Sequence, residues 1–183
     1  MRYFLGVDVG ATKTHALIAD ETGNVIGFGQ AGPGNHEVVG YPGLQRAVQD
    51  CVSQALQGSG LTVRQVEGAG FGVGGYDWPV ELSDTLEALS VLHLDCPVEV
   101  VNDAVIGLVA GAAEGWGLVL VAGTGNNVRG RDRQGRQGRV TGNGIACGEF
   151  GGGSDMVFCA IQLVCQAWTL RGQPTALTDA FIA

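Results

Sequence analysis

The strongest constraint on the fold is a pair of apolar runs that meet at a tight, glycine-bearing turn near the start of the chain. Tyr3 to Val9 is apolar and ends at Gly10, and a second run extends from Thr14 to Ala19. Apolar runs of this length bounded by turn residues predict strands. A third strand, Val25 to Gly29, follows a turn at residues 20–24. We therefore expect an antiparallel meander whose tightest turn lies between Asp8 and Thr14.

Helices and strands alternate after the meander. The pattern predicts helix over Leu44–Leu56, strand over Val66–Val73, helix over Pro79–Leu92, strand over Val98–Val101 and helix over Ala104–Ala113. Strands that alternate with helices are usually parallel. The later strands should therefore lie parallel to one another.

The strand pattern then begins again. Strands are predicted over Leu118–Ala122, Val128–Arg131 and Gln137–Thr141, followed by a buried apolar helix over Asp155–Arg171 and a short helix from Asp179. We also expect the indole rings of Trp116 and Trp168 in the core. The restart predicts two lobes of one topology, residues 1–115 and 116–183. Because the second is much the shorter, we expect either a chain cut short at its C-terminus or a partner that supplies the rest.

Composition and charge narrow the class of protein. The net charge of −8 disfavours nucleic-acid binding, and the arginines between residues 129 and 139 are interpreted as a solvated hairpin. Five cysteines without zinc spacing indicate a reducing compartment. No stretch reaches the roughly 18 uninterrupted apolar residues of a membrane span. We expect a cytoplasmic protein with no nucleic-acid or membrane partner.

The turn at residues 8–14, Asp-Val-Gly-Ala-Thr-Lys-Thr, has the chemistry of a phosphate-binding loop. A glycine turn lets successive N–H groups point into one concavity, and hydroxyl and ammonium groups bind phosphate oxygens. Asp8 could hold a hydrated Mg²⁺. The predicted phosphate ligands are Gly10, Ala11, Thr12, Lys13 and Thr14. The alternative is an ordinary hairpin turn with a capping Asp; a Walker A motif is absent from the sequence.

A second loop of the same kind opens the second lobe. Gly123, Thr124 and Gly125 follow the strand that ends at Ala122. One G-x-G is weak evidence, but its pairing with the first loop predicts two loops that close on a nucleotide.

A carboxylate follows the strand that ends at Val101. Ligands of open α/β sheets lie at the carboxyl ends of parallel strands, so Asp103 is a candidate general base that takes the proton from an attacking hydroxyl. The alternative is that Asp103 only caps the next helix.

These three segments resemble the sugar kinase, Hsp70 and actin ATPase superfamily, and within it the N-acetylglucosamine kinases and the BadF/BadG-type ATPases, over residues 3 to about 171. The resemblance implies an α/β, ribonuclease H-like (actin-like ATPase) fold, with one complete lobe and the start of a second. It implies ATP-dependent phosphoryl transfer to an amino sugar, with ATP and Mg²⁺ as cofactors, and it is compatible with a homodimer.

The same resemblance implies a set of sugar-binding residues and identifies Asp103 as the family's base. The implied sugar-binding residues are Asn35, His36, Gly74, Gly75, Asn126, Asn127 and Glu149. Glu149 stands where the family has an Asp, and Asn143 stands where it has an aromatic residue. These departures bear on the identity of the sugar more than on phosphoryl transfer. The family's adenosine-binding region lies beyond the matched segments.

Two other functions remain open from the sequence. One is an ATPase that activates a dehydratase or reductase; such activators resemble this chain and hold an iron–sulfur cluster between two subunits, for which Cys147 is the candidate ligand. The other is a non-catalytic module that binds sugar or nucleotide. Iron content tests the first, and calorimetry with sugar and with ATP tests the second.

Overall fold

The computed structural model describes residues 1–182, apart from the side chain of Ile145. The chain divides into two compact units, of which the first ends at Gly117 and the second starts at Leu118. That the two units repeat one topology stays a prediction.

The first unit is built on a five-stranded sheet. Its strands are β1 (Tyr3–Val9), β2 (Thr14–Asp20), β3 (Val25–Ala31), β4 (Val66–Val73) and β5 (Val98–Asn102), in the order β3-β2-β1-β4-β5. β1, β2 and β3 pair antiparallel, which confirms the predicted meander. β4 lies parallel to both β1 and β5, as the alternation of strands and helices predicts.

Three helices complete the first unit: α1 (His36–Ser59), α2 (Leu82–Leu89) and α3 (Asp103–Gly111). α1 begins eight residues before the predicted start, because a kink hides its first turn from the helical pattern: Gly40 has φ 67° and Pro42 follows. The helix predicted over Pro79–Leu92 is α2 flanked by two short 3-10 turns. The C-cap of α1 is Gly60, which takes the left-handed conformation typical of this position.

The hydrophobic core lies between the sheet and the helices that cover one of its faces. Alternate residues of β1 and β2 are buried, as expected of strands with one covered face. Gly29 brings α1 close to β3, because a Cβ there would overlap the carbonyl of Cys51. The largest fully buried side chains are Phe71, Ile18, Leu44, Val9, Val48, Val52 and Val73.

The second unit has a three-stranded sheet and two helices. Its strands are β6 (Gly117–Ala122), β7 (Asn126–Arg131) and β8 (Gln137–Val140), and its helices are α4 (Gly153–Trp168) and α5 (Leu177–Ile182). β7 and β8 form an antiparallel hairpin. Four of its five arginines are exposed, as predicted, whereas Arg129 is buried.

Three of the burial predictions are wrong. α4 is apolar, but it contains no buried residue; Met156 is 73% exposed. Trp168 is 80% exposed and Trp116 37%, so neither belongs to the core. An apolar helix is buried only where another element packs against it, and few side chains of the described second unit pack in this way. Within residues 1–182, no helix combines the length and apolarity that a bilayer span needs.

Candidate functional site

The turn between β1 and β2 is closed by its own backbone. The Gly10 N–H donates to the Lys13 carbonyl at 3.0 Å. The Gly10 carbonyl accepts from the N–H groups of Gly34 at 3.0 Å and Asn35 at 3.2 Å. These bonds attach the turn to the start of α1, while residues 11–13 remain exposed. Ala11, Thr12 and Lys13 are therefore presented to solvent on an anchored loop.

Thr14 has a different environment from the rest of the predicted phosphate loop. Its side chain is fully buried, and its hydroxyl donates to the Gly32 carbonyl at 3.0 Å. The side chain thus holds the segment between β3 and α1 against the turn, and its hydroxyl is engaged inside the fold.

Asp8 lies on the solvent-exposed face of β1, directly opposite His15 of β2. Desolvation by the surrounding protein raises the pKa of the Asp8 carboxyl, and the attraction of His15 and Lys13 offsets only part of this effect. Mg²⁺ binds proteins through one or two carboxylates and fills its remaining positions with water and phosphate oxygens. An exposed carboxylate beside an anchored, glycine-bearing turn fits that requirement.

Asn35 and His36 have separate places in the structure. The Asn35 Oδ1 accepts from the Glu37 N–H at 2.8 Å and caps α1. The His36 ring stacks on Tyr41, with centroids 4.6 Å apart and planes 8° apart, and its side chain is 10% exposed. Its Nδ1 is buried without a hydrogen-bond partner among the described residues. Asn35 therefore lies at the first loop, whereas His36 is packed behind it.

Gly74 and Gly75 bring three predicted site segments together. The Gly74 N–H donates to the Val9 carbonyl at 2.8 Å, and a Cβ on Gly74 would lie 3.2 Å from Asp103 Oδ2. Gly75 has φ 85°, and a Cβ there would lie 2.5 Å from Asn35 Oδ1. A side chain at either position would push against these groups. The glycines thus permit the close approach of the end of β1, the start of α1 and Asp103.

Asp103 is the first residue of α3 and is not its cap. The N-cap is Asn102, whose Oδ1 accepts from the Ala104 N–H at 3.1 Å. Asp103 Oδ1 accepts from the same N–H at 2.8 Å, while its Oδ2 is the atom near Gly74. Sequence reasoning missed the role of Asn102. A polar residue between an apolar strand and an apolar helix is the N-cap signature that could have found it.

The second loop is fastened to the start of α4. The Gly123 N–H donates to the Gly125 carbonyl at 2.9 Å. The carbonyls of Gly123 and Thr124 accept from the N–H groups of Gly153 at 2.8 Å and Ser154 at 3.0 Å. The loop is thus a fixed turn, with its position set by the N-terminus of the helix.

The residues after the second loop bind the segment that leads to α4. The Asn126 side-chain amide donates to the Phe150 carbonyl at 2.6 Å, and Asn127 is half-buried. Glu149 Oε2 accepts from the Asn143 N–H at 2.7 Å. This hydrogen bond is the main reason that the pKa of the Glu149 carboxyl is lowered. The Glu149 carboxylate thus binds residues 141–143, and these hydrogen bonds favour its ionised form.

Some of the predicted site residues therefore lie close together within each unit. In the first unit the structure brings together Gly10, Asn35, Gly74, Gly75 and Asp103. In the second it brings together Gly123, Thr124 and Gly125, while Asn126 and Glu149 each bind the chain that leads to α4.

The sequence profile of the BadF/BadG/BcrA/BcrD ATPase family matches residues 5–176 of this chain. The N-acetylmuramic acid/N-acetylglucosamine kinase of Clostridium acetobutylicum is 29% identical over 177 residues, which cover 97% of this chain and 58% of that protein. The N-acetyl-D-glucosamine kinase of Dictyostelium discoideum is 25% identical over 188 residues, covering 98% of this chain and 59% of that protein. The chain thus spans somewhat more than half the length of these relatives.

Solved structures share the fold. A candidate N-acetylglucosamine kinase from Chromobacterium violaceum superposes with a TM-score of 0.79 at 22% identity, over 100% of this chain and 63% of that one. A ROK family glucokinase from Streptomyces griseus, in complex with glucose and AMPPNP, gives 0.54 at 22% identity, over 92% and 62%. These matches confirm the predicted fold class.

Proposed function

This chain belongs to the BadF/BadG/BcrA/BcrD ATPase family, and we propose from that membership that the whole protein transfers the γ-phosphoryl group of ATP to a hydroxyl group of an amino sugar. N-acetylglucosamine is the first sugar to test, because the Clostridium acetobutylicum and Dictyostelium discoideum relatives are both named as kinases of this sugar. The family name and the kinase relatives support ATP as the donor.

One observation carries the proposal. The Gly74 N–H donates to the Val9 carbonyl at the end of β1, and a Cβ on Gly74 would lie 3.2 Å from Asp103 Oδ2. The exposed turn at residues 11–13 begins just after Val9. The candidate base and the strand end that leads into the candidate phosphate loop therefore both lie near Gly74, which supports the proposal because phosphoryl transfer needs the groups that bind the acceptor and the donor to be close together.

Each residue has a proposed role in that reaction. Asp103 accepts the proton of the sugar hydroxyl as this group attacks phosphorus. Backbone N–H groups and side chains of the two loops stabilise the charge on the phosphoryl oxygens. The proposed phosphate ligands are Gly10, Ala11, Thr12, Lys13, Thr14, Gly123, Thr124 and Gly125; for Thr14 only the backbone serves, since its hydroxyl is engaged. The proposed sugar ligands are Asn35, His36, Gly74, Gly75, Asn126, Asn127 and Glu149.

Asp8 is the proposed holder of Mg²⁺. Bound there, the ion would offset the negative charge of the phosphate groups. The exposed carboxylate of Asp8 and its place two residues before Gly10 support this assignment.

The test is an assay of ADP release by the whole protein with ATP and a panel of amino sugars. We expect release that depends on both ATP and one N-acetylated amino sugar, with glucose as the comparison acceptor. ADP release that is equal with and without every sugar would contradict the proposal. If such a protein also contained iron, an ATPase that activates another enzyme would be favoured instead, with the exposed thiol of Cys147 as a candidate cluster ligand.

A further inference from the structure

One carboxylate outside the proposed site holds the loop that follows β4. Glu81 ends the 3-10 turn Pro79–Glu81, which leads into α2. Its Oε2 accepts from the N–H groups of Asp77 and Trp78, both at 2.8 Å. Sequence reasoning assigned Glu81 no role, although a Glu two residues after a proline at the start of a helix is a helix N-terminus signal.

The opposite side of the same loop is bound to the residue before Asp103. The side-chain amide of Asn102 donates to the Tyr76 carbonyl at 3.3 Å and to Asp77 Oδ1 at 3.2 Å. Asn102 is 4% exposed and caps α3. The loop is therefore held between Glu81 and the residue that sets the start of α3, where Asp103 lies.

Glu81 also faces the start of α1. Its second oxygen, Oε1, lies 4.0 Å from His36 Nε2, and the Glu81 side chain is 21% exposed. His36 is fixed in turn by its stacking on Tyr41, and it follows Asn35, the residue next to Gly75. One carboxylate thus contacts the loop through one oxygen and the N-terminal turn of α1 through the other.

We propose that Glu81 is a positioning residue for phosphoryl transfer: by holding the loop from Gly74 to Trp78, it sets the place of Asp103 relative to the acceptor hydroxyl. The inference rests on the proposed function. It assigns Glu81 no contact with substrate. Misplacement of a reacting group by about 1 Å can reduce a rate by about 100-fold, so loss of Glu81 should reduce kcat. The turn at Gly10 is closed by its own hydrogen bond to Lys13, so the KM for ATP should change little.

The chain offers a matched control at the other end of β4. Gln65 ends the 3-10 turn Val63–Gln65, and its Oε1 accepts from the N–H and the hydroxyl of Thr62, both at 2.9 Å. Glu81→Ala and Gln65→Ala therefore remove caps of the same kind from turns at opposite ends of one strand. Glu81→Gln keeps a side-chain oxygen that can accept from both loop N–H groups, while it removes the charge and replaces the second oxygen, which faces His36, with an amide NH2 group.

Kinetics of the whole protein distinguish a positioning role from a purely structural one. We expect Glu81→Ala to lower kcat by about 10- to 100-fold while the KM for ATP stays near the wild-type value. Glu81→Gln should restore most of kcat. Gln65→Ala should keep kcat at the wild-type level even if it lowers the Tm as much as Glu81→Ala does. Equal loss of kcat in the two alanine variants, or none in Glu81→Ala, would overturn the proposal.

Amide hydrogen exchange supplies a readout that does not need catalysis. In Glu81→Ala we expect faster exchange at Asp77 and Trp78 and also at Ala104, whose N–H is held by Asn102 and Asp103. If the wild-type protein phosphorylates no amino sugar, the proposed function fails, and the exchange data still decide whether Glu81 controls this region. Exchange at Ala104 that is the same in wild type and Glu81→Ala would overturn the link to Asp103.

Discussion

Asn102 and Asp103 are neighbours at the end of β5. The sequence left open whether Asp103 is the helix cap or the general base, and in the structure Asn102 is the cap. Asn102 caps α3, and this leaves one oxygen of Asp103, Oδ2, directed toward Gly74. A capping side chain satisfies N–H groups at a helix start, whereas a general base needs an oxygen that can reach a substrate proton. Because the two side chains are adjacent, Asn102 caps the helix start while Asp103 Oδ2 lies on the side of Gly74.

Substitution of Asp103 by Asn tests the assigned base. We expect Asp103→Asn to lower kcat by about 10²- to 10⁴-fold, because the amide cannot accept the proton of the attacking hydroxyl. ATP affinity measured by calorimetry should be unchanged. Asp50→Asn, which removes an exposed carboxylate on α1, is the control and should keep full activity. Wild-type turnover in Asp103→Asn would reject the assignment.

Substitution of Gly75 tests the close approach at the site. Gly75 has φ 85°, and a Cβ there would lie 2.5 Å from Asn35 Oδ1. We expect Gly75→Ala to lower the free energy of unfolding by about 1–2 kcal/mol from backbone conformation alone, and to reduce sugar-dependent ADP release. Gly70→Ala is the control, since nothing lies within 4 Å of a Cβ at that position of β4. Equal stability of the two variants in urea unfolding would contradict the expected strain.

At the scale of elements, the turn between β2 and β3 is organised by one carboxylate. Asp20 Oδ1 accepts from the N–H and hydroxyl of Thr22, at 2.8 and 2.6 Å, and from the Asn24 N–H at 3.1 Å. These bonds, with that to the Thr22 hydroxyl the largest influence, lower the pKa of Asp20 from 3.8 to about 2. Because these hydrogen bonds form in the folded state, folding favours the ionised form of the Asp20 carboxyl.

The pH dependence of stability follows from the direction of that shift. Because the pKa of Asp20 is lower in the folded state, its contribution is complete above the unfolded value of 3.8 and is lost as pH falls through about 2. We expect Asp20→Asn to lower the Tm at pH 7, and the difference from wild type to shrink between about pH 4 and pH 2. A Tm difference that stays constant over this interval would show that the carboxylate charge is not involved.

At the scale of the whole molecule, burial is unevenly distributed between the two units. The buried hydrophobic residues of the described chain all precede Gly117. After Gly117, the buried residues among those described are Arg129 and Gly152. Hydrophobic burial is the main stabilising contribution to folding, so the first unit should resist local unfolding much better than the second.

Limited proteolysis of the 183-residue chain tests this difference. Cleavage by thermolysin should occur first after residue 117, where Leu118, Leu120 and Phe158 are exposed, because a protease cuts segments that open easily. We expect a resistant fragment that contains β1 to β5 and α1 to α3, identified by mass spectrometry. First cuts within β1 or β4 would contradict the expected order of stability.

Local sequence patterns predicted most elements of the first unit and located Asp103 at the end of a strand. Period-two burial in β1 and β2, apolar runs ending at glycine, and Asp103 at the end of a strand are local patterns, since they depend on residues near one another in the chain. The kinked start of α1 was missed for the same reason: Gly40 and Pro42 interrupt the helical pattern that the prediction relied on.

Which side chains meet depends on how the strands and helices pack, and local patterns do not contain that information. The convergence of Val9, Gly74 and Asp103, and the bonds of Glu81 and Asn102 to one loop, join segments that are distant in sequence. The exposure of Trp168 and of the apolar residues on α4 likewise cannot be predicted from the residue types alone. The hydrophobicity of a side chain sets the free energy that its burial would contribute, but the packing of other elements decides whether the side chain is buried.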